Sequence, residues 1–283
     1  MSIRLDEFED CAIATSARQW RARLAAGDVV LGLWVVSSSP TVAEILGASG
    51  ADWIIIDTEH APNTLPGVVA QLRSLTASPT FVVVRASSKD PLLLGQLLDA
   101  GAAGLMVPMV ESRADAEAVV SATRYPPRGR RGVGGGFARA TRWTHVADYL
   151  PEAEASFSLI IQIESLRAVE ALEEILNVDG IDGVFIGPAD LAASLGHLGQ
   201  PRHPDVQAAV ERAITIAVGR GAAVGVNAFG FDDAIRYRDA GAQLLAVGAD
   251  VTLLGSGSAG LLARFGRSPA PDPIEHPPAE DSE

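Results

Sequence analysis

Short apolar runs recur along the chain, separated by longer segments of mixed polarity. Eight of them are β-branched or aliphatic: Val29 to Val36, Trp53 to Asp57, Phe81 to Arg85, Gly104 to Val107, Leu159 to Ile163, Gly183 to Ile186, Ala222 to Val226 and Leu244 to Gly248. Most are apolar throughout rather than alternating, the pattern of parallel strands covered on both faces. Helix starts lie between them, clearest at Ser39-Pro40 before Thr41 to Ala48 and at Asp90-Pro91 before Leu92 to Ala100. Gly50, Gly101, Gly180, Gly221 and Gly241 each fall between a helix and the next strand, where a left-handed cap is expected. The repeated order of helix, glycine and strand predicts βα units on a parallel sheet. A doubly wound open sheet shares that alternation. The count of eight and the position of the polar residues favour a (β/α)8 TIM barrel.

A barrel of this kind needs about 250 residues, so the 283-residue chain holds one, over residues 1–265. Residues 266–283 are rich in Pro and acidic side chains and are expected to form a disordered tail with no catalytic part. The chain is 48% hydrophobic and 20% charged, which marks a globular protein. Its 35 acidic residues against 22 basic ones leave a net charge of -13 that would repel a polyanion, so nucleic acid is not an expected partner. Cys11 is the only cysteine, which excludes an intramolecular disulfide and a cysteine-based zinc site and makes a reducing, cytoplasmic setting the default. Met1 to Asp10 does not read as a secretory signal, and no apolar stretch is long enough to span a bilayer, so no membrane partner is expected.

In such a barrel the chemistry sits at the carboxyl ends of the strands. There the second run continues Asp57-Thr58-Glu59-His60, the third ends in Arg85, and the fifth reads Gln162-Ile163-Glu164, with Gln162 and Glu164 on one face. The sixth ends Gly187-Pro188-Ala189-Asp190, a turn into a helix whose first amides would point at the cleft. Taken singly, Asp57 or Asp190 reads as a helix cap, His60 as a surface loop residue, and Arg85 with Glu164 as a structural ion pair. Together, four strands place ionisable groups at one end, which capping alone does not explain. Glu164 and Asp190 are the expected metal pair, two hard oxygen donors suited to Mg2+ or Mn2+ rather than zinc. The five histidines (His60, His145, His197, His203, His276) show no zinc-ligand spacing. The run Arg128 to Gly136 lacks the Lys and Ser/Thr of a Walker loop and reads better as a lid or subunit contact whose arginines attract anions.

With these residues in place, the sequence from about Gly32 to Phe265 resembles the class II pyruvate aldolases of the hydroxy-ketoacid aldolase family. The resemblance is carried by Gly32-Leu-Trp34, Asp57-Thr-Glu-His60-Ala-Pro-Asn63, Val84-Arg85, Leu105-Met-Val-Pro108-Met-Val, Arg124 to Gly134, Gln162-Ile-Glu164 and Gly183 to Leu191. It implies a barrel with its last helix exchanged between subunits of a homo-hexamer. It implies a divalent cation (Mg2+, Mn2+ or Co2+) held by Glu164 and Asp190. It also implies reversible aldol cleavage of a 4-hydroxy-2-oxo acid to pyruvate or hydroxypyruvate and an aldehyde, through a metal-bound enolate. By the same carry-over His60 paired with Asp57 is the acid/base group, and Arg85 stabilises the enolate oxygen. Gln162 contacts metal water or substrate, and Glu59 is a further substrate-binding residue. Trp34 and Pro108 wall the pocket, and Gly187, Pro188 and Ala189 cradle the substrate carboxylate. Thr58, where the pattern often has glycine, and the glycine-rich Gly134 to Gly136 depart from the family.

A Schiff-base mechanism needs a buried neutral lysine. Lys89 is the only lysine, and it lies in the polar helix start Ser87-Ser88-Lys89-Asp90-Pro91, where its amine should be hydrated and charged. The covalent route is therefore excluded. Two competing readings are a citrate-lyase-like acyl-CoA lyase using the same metal and enolate chemistry, and an inert oligomeric scaffold that binds neither metal nor pyruvate analogues.

Overall fold

The computed structural model describes residues 12–146 and 148–267; Cys11, the start of the chain and nearly all of the expected tail lie outside them. Eight parallel strands close into a barrel in chain order: β1 (Val30–Val35), β2 (Trp53–Asp57), β3 (Phe81–Arg85), β4 (Gly104–Val107), β5 (Ser158–Ile163), β6 (Gly183–Ile186), β7 (Ala223–Asn227) and β8 (Leu244–Ala249). Pairing of β8 with β1 excludes the open sheet. Strands β2, β3, β4 and β6 have the bounds expected from the pattern, and the others shift by one residue at one or both ends.

Helices alternate with the strands as α1 (Ala12–Ala25), α2 (Pro40–Gly47), α3 (Leu65–Ser74), α4 (Pro91–Asp99), α5 (Arg113–Thr123) and α6 (Tyr149–Glu152). They continue as α7 (Leu166–Glu170), α8 (Leu172–Leu176), α9 (Pro188–Ser194), α10 (Pro204–Gly219), α11 (Phe231–Asp239) and α12 (Asp250–Ala263). Local chemistry sets their starts: Ser39 Oγ accepts from the Val42 amide at 3.3 Å, and Asp90 Oδ1 accepts from the Leu92 amide at 2.7 Å. Their ends follow from glycine, with φ near +90° at Gly50 and Gly101, a conformation a Cβ would oppose.

Period-two alternation divides each strand between two cores. On β2, Ile54 and Ile56 pack outward against helices, while Trp53 and Ile55 point into the barrel with Phe81, Val83, Ile160 and Phe185. All five β2 side chains are buried, so a one-residue slip would turn Asp57 away from the barrel mouth and is strongly disfavoured.

Helix α1 was not foreseen from the pattern. Its Trp20 stacks on Phe81 with ring centroids 4.4 Å apart and touches Trp53 at 5.9 Å, closing the amino end of the barrel. Gly32 makes room for this plug, since a Cβ there would lie 2.3 Å from Trp53 Nε1. The carboxyl end remains as the open mouth.

Helix α12 is anchored only at its start. The Asp250 carboxylate accepts from the Val36 and Ser37 amides, both at 3.0 Å. Beyond it the helix is apolar yet almost wholly exposed, with Leu254 73% and Phe265, just past its end, 76% accessible.

Candidate active site

The inward set of each strand ends at the mouth, bringing Trp34, Asp57, Arg85, Gln162 and Asn227 together from five strands. Arg85 is their hub. Register sets Asp57 of β2 opposite Arg85 of β3, and the guanidinium grips that carboxylate with two bonds, Nε to Oδ1 at 2.8 Å and Nη2 to Oδ2 at 2.7 Å. Its third nitrogen, Nη1, stands 3.0 Å from Glu59 Oε2, close enough for charge attraction but not aligned for a hydrogen bond. Its face lies 4.5 Å over the Trp34 ring. Thr58 locks the strand ends together, its hydroxyl donating to the Arg85 carbonyl at 2.6 Å, a task glycine lacks a side chain to perform. Asn63 donates to the Asp57 carbonyl at 2.6 Å and holds the turn from the other side.

This arrangement corrects the expected pairing of His60 with Asp57. The Asp57 carboxylate is taken by Arg85, and it reaches His60 only through the backbone, accepting from the Glu59 amide at 2.9 Å and the His60 amide at 3.3 Å. The imidazole is exposed, with Nε2 3.9 Å from Glu59 Oε2. Glu59, not Asp57, is thus the carboxylate beside the imidazole.

Glu164 lies only 4% exposed just beyond β5. Its Oε1 accepts from the Met109 amide at 2.6 Å and its Oε2 from Gln162 Nε2. Met109 reaches that position because the chain turns through a left-handed conformation after the buried Pro108, at φ +55°. Burial, reinforced by the negative charges of Glu59 and Asp190, pushes the Glu164 carboxyl up to about 7, against the pull of the Met109 amide and Arg85. Burial likewise raises Glu59. The negative charges of Glu59, just beyond β2, and of exposed Asp190, just beyond β6, thus act on buried Glu164, while the nearby Arg85 guanidinium is already engaged by Asp57. Gln162 Oε1 is buried there with no hydrogen-bond partner, and Gly187 leaves the space open, because a Cβ would fall 3.3 Å from Glu164 Oε2.

The turn into α9 contributes less than expected from its sequence. Gly187 N–H is spent on the Ile163 carbonyl at 3.1 Å and Pro188 has none, which leaves the Ala189 and Asp190 amides of the first turn to face the cleft. The basic run is also differently employed. Arg131 is buried against Asp99 at 2.6 Å and over the Tyr125 ring, and Arg128 pairs with Glu154 at 2.8 Å, so neither is free to attract an anion. Lys89 is held by Asp115 at 2.8 Å, as a charged ammonium should be. Histidine spacing suggested no cluster, yet folding stacks His197 on His203 at 3.5 Å beside Asp205. His197 Nε2 lies 3.1 Å from the Asp205 carboxylate, and His203 Nδ1 accepts from the Asp205 amide at 3.3 Å, capping α10. Two mouth residues had no sequence signal: Met109, which acts through its backbone, and Asn227, whose Oδ1 accepts from Trp34 Nε1 at 2.8 Å.

Residues 30–256 match the family model described as HpcH/HpaI aldolase/citrate lyase. A 4-hydroxy-2-oxo-heptane-1,7-dioate aldolase of Klebsiella pneumoniae is 49% identical over 242 residues, 86% of this chain and 91% of its own. Among solved structures, an HpcH/HpaI aldolase/citrate lyase family protein of Burkholderia cenocepacia superposes with a TM-score of 0.85 at 41% identity, covering 88% of this chain and 100% of that one. An HpcH/HpaI aldolase of Desulfitobacterium hafniense does so with a TM-score of 0.79 at 31% identity, over 89% and 98% of the two chains. With a barrel whose polar side chains meet at one mouth, and with these relatives spanning nearly its whole length, the chain belongs to the HpcH/HpaI aldolase/citrate lyase family.

Proposed function

We propose that this protein is a divalent-metal-dependent aldolase, a carbon-carbon lyase that cleaves 4-hydroxy-2-oxo acids to pyruvate, or hydroxypyruvate, and an aldehyde. The observation that carries the reading is buried Glu164, whose carboxyl feels the negative charges of Glu59 and Asp190, beside Gln162 with its unpartnered amide oxygen. Like charges acting on a buried carboxylate call for a cation, and oxygen donors suit Mg2+, Mn2+ or Co2+. Glu164 and Asp190 would hold it. When bound, it supplies Lewis acidity at the ketone oxygen.

The chain's own groups do the rest. Arg85, fixed by Asp57 and Trp34, faces the ketone oxygen with a charge that needs no reorientation as negative charge grows there. His60 Nε2, exposed next to Glu59, takes the proton of the 4-hydroxyl group. The C3–C4 bond then breaks, its electron pair forms the C2–C3 double bond of the enolate, and the aldehyde leaves. Return of a proton to C3 gives pyruvate. Trp34 and Pro108 exclude water from the reacting carbon. Lys89, already paired with Asp115, has no part in it. Pyruvate release from a 4-hydroxy-2-oxo acid is expected to stop in excess chelator and to return with Mn2+; undiminished release in chelator would sink the reading.

The proposal includes a homo-hexamer in which α12 is exchanged between subunits. Its support is the apolar surface of α12, a helix that packs only its first residues on its own barrel. Exposed Leu254, Leu261, Leu262 and Phe265 form a face that water disfavours. A chain ending at Asp250 is expected to lose the hexamer in light scattering, whereas hexameric elution of that truncation would exclude the exchange. No helix among the described residues is long and apolar enough to cross a membrane.

A further inference from the structure

We propose that Asn227 selects the aldehyde half of the substrate, favouring an aldehyde that carries a hydrogen-bond-accepting oxygen beyond its carbonyl carbon. The inference rests on the aldolase reading above and adds a substrate class to it. Asn227 ends β7, and its side chain follows Ala223 and Gly225 into the barrel, which brings it to the mouth at the level of Trp34.

The orientation of its amide is decided by chemistry. Trp34 Nε1 lies 2.8 Å from Asn227 Oδ1, and an indole N–H only donates, so the amide oxygen must be the atom that faces it. The NH2 group then points the other way. Among the described residues no acceptor pairs with that NH2, and half-buried Asn227 leaves it accessible at the mouth. Beside it stands the Trp34 indole, whose ring centroid lies 6.2 Å from that of Phe185. The same indole underlies the Arg85 guanidinium at 4.5 Å. Asn227 and Arg85 therefore meet the same indole, one at its N–H and the other over its face, so a substrate whose ketone oxygen meets Arg85 would extend its atoms beyond C4 toward the free donor.

An unpaired donor beside an indole discriminates strongly. An alkyl aldehyde strips water from the NH2 and returns nothing, whereas a hydroxyl or carboxylate oxygen replaces that water. The expected preference is about tenfold or more in kcat/KM, the scale of one such bond. Carboxylate and hydroxyl share the acceptor chemistry, and two substitutions separate them. Asn227→Leu removes the donor and also the Trp34 acceptor. Asn227→Asp keeps an oxygen for Trp34 and turns the second oxygen toward the substrate.

The test is condensation of pyruvate with butanal, 3-hydroxybutanal and succinic semialdehyde, in the full-length Mn2+-loaded enzyme and both variants. The native enzyme should favour the two oxygenated aldehydes over butanal. In Asn227→Leu that ratio should collapse about tenfold. In Asn227→Asp the carboxylated aldehyde should fall further than butanal, while 3-hydroxybutanal, whose hydroxyl can donate, is spared. Unchanged ratios in both variants, or an equal loss with all three aldehydes, would overturn the inference and leave Asn227 a mere support for Trp34. Deuterium exchange at the pyruvate methyl group, followed alongside, separates the two failures. Exchange with unchanged ratios overturns this inference alone, and no exchange by the native enzyme overturns the aldolase reading and this inference with it.

Discussion

Glu164→Gln is expected to abolish divalent-cation binding and pyruvate release together. Its two oxygens are committed, Oε1 to the Met109 amide at 2.6 Å and Oε2 to Gln162 Nε2. A glutamine amide would set an NH2 against one of these donors and would supply no negative charge to a cation. Loss of Lewis acidity and ligand charge together removes several kcal/mol from the transition state, on the order of a thousandfold or more in turnover. Binding followed by the Mn2+ paramagnetic signal and turnover followed by pyruvate release should fall in parallel; native Mn2+ affinity in Glu164→Gln would refute the assignment.

The same residue couples the metal-free protein to pH. The folded state raises the Glu164 carboxyl from the ordinary 4.5 to about 7, so it holds the proton more tightly than the unfolded chain does. That contribution to stability is complete below the unfolded pKa and is lost as pH rises through about 7. Its full size is about 3 kcal/mol. The cation requires the deprotonated carboxylate, so its affinity should climb as pH rises toward neutrality and flatten above it. Glu164→Gln should remove the pH dependence of metal-free thermal stability that this group causes.

Arg85→Ala should separate catalysis from metal binding. Turnover is expected to fall by about a hundredfold or more, because the group that meets the growing charge on the ketone oxygen is gone. Mn2+ binding should survive, since Arg85 bonds to none of the proposed ligands. Stability should fall as well. Asp57 is 1% exposed and would lose both of its guanidinium bonds, and an unpaired buried charge costs about 3–5 kcal/mol. Chemical denaturation reads this loss, and activity is then compared well below the unfolding midpoint. Native turnover in Arg85→Ala would exclude it from the reaction. Arg85→Lys keeps the charge but not the fork that fits Asp57, and should recover only a minor part of either property.

Much of the barrel was legible in the chain because its signals are local. An apolar run buried on both faces looks the same whatever lies beside it, and Ser39, Asp90 and the glycines after each helix act on amides within a few residues. The polar strand ends were legible for the same reason, since period two decides that Gln162 and Glu164 face one way. Helix α1 escaped because its value lies in what Trp20 meets across the amino end of the barrel, Phe81 and Trp53, far along the chain. Asn227 escaped because a single amide at a strand end carries no pattern until Trp34, 193 residues away, turns out to donate to it.

The identity and approximate position of the ionisable groups at the mouth were thus decided by the sequence, through burial and periodicity acting over one or two turns of chain. Partnership among them was decided only by the tertiary structure. Register between β2 and β3 places Asp57 opposite Arg85, and a two-bonded guanidinium outcompetes an exposed imidazole, so His60 is left to Glu59. Closure of the barrel also brings the negative charges of Glu59 and Asp190 to bear on buried Glu164. That influence depends on distances between strands, which local chemistry does not specify.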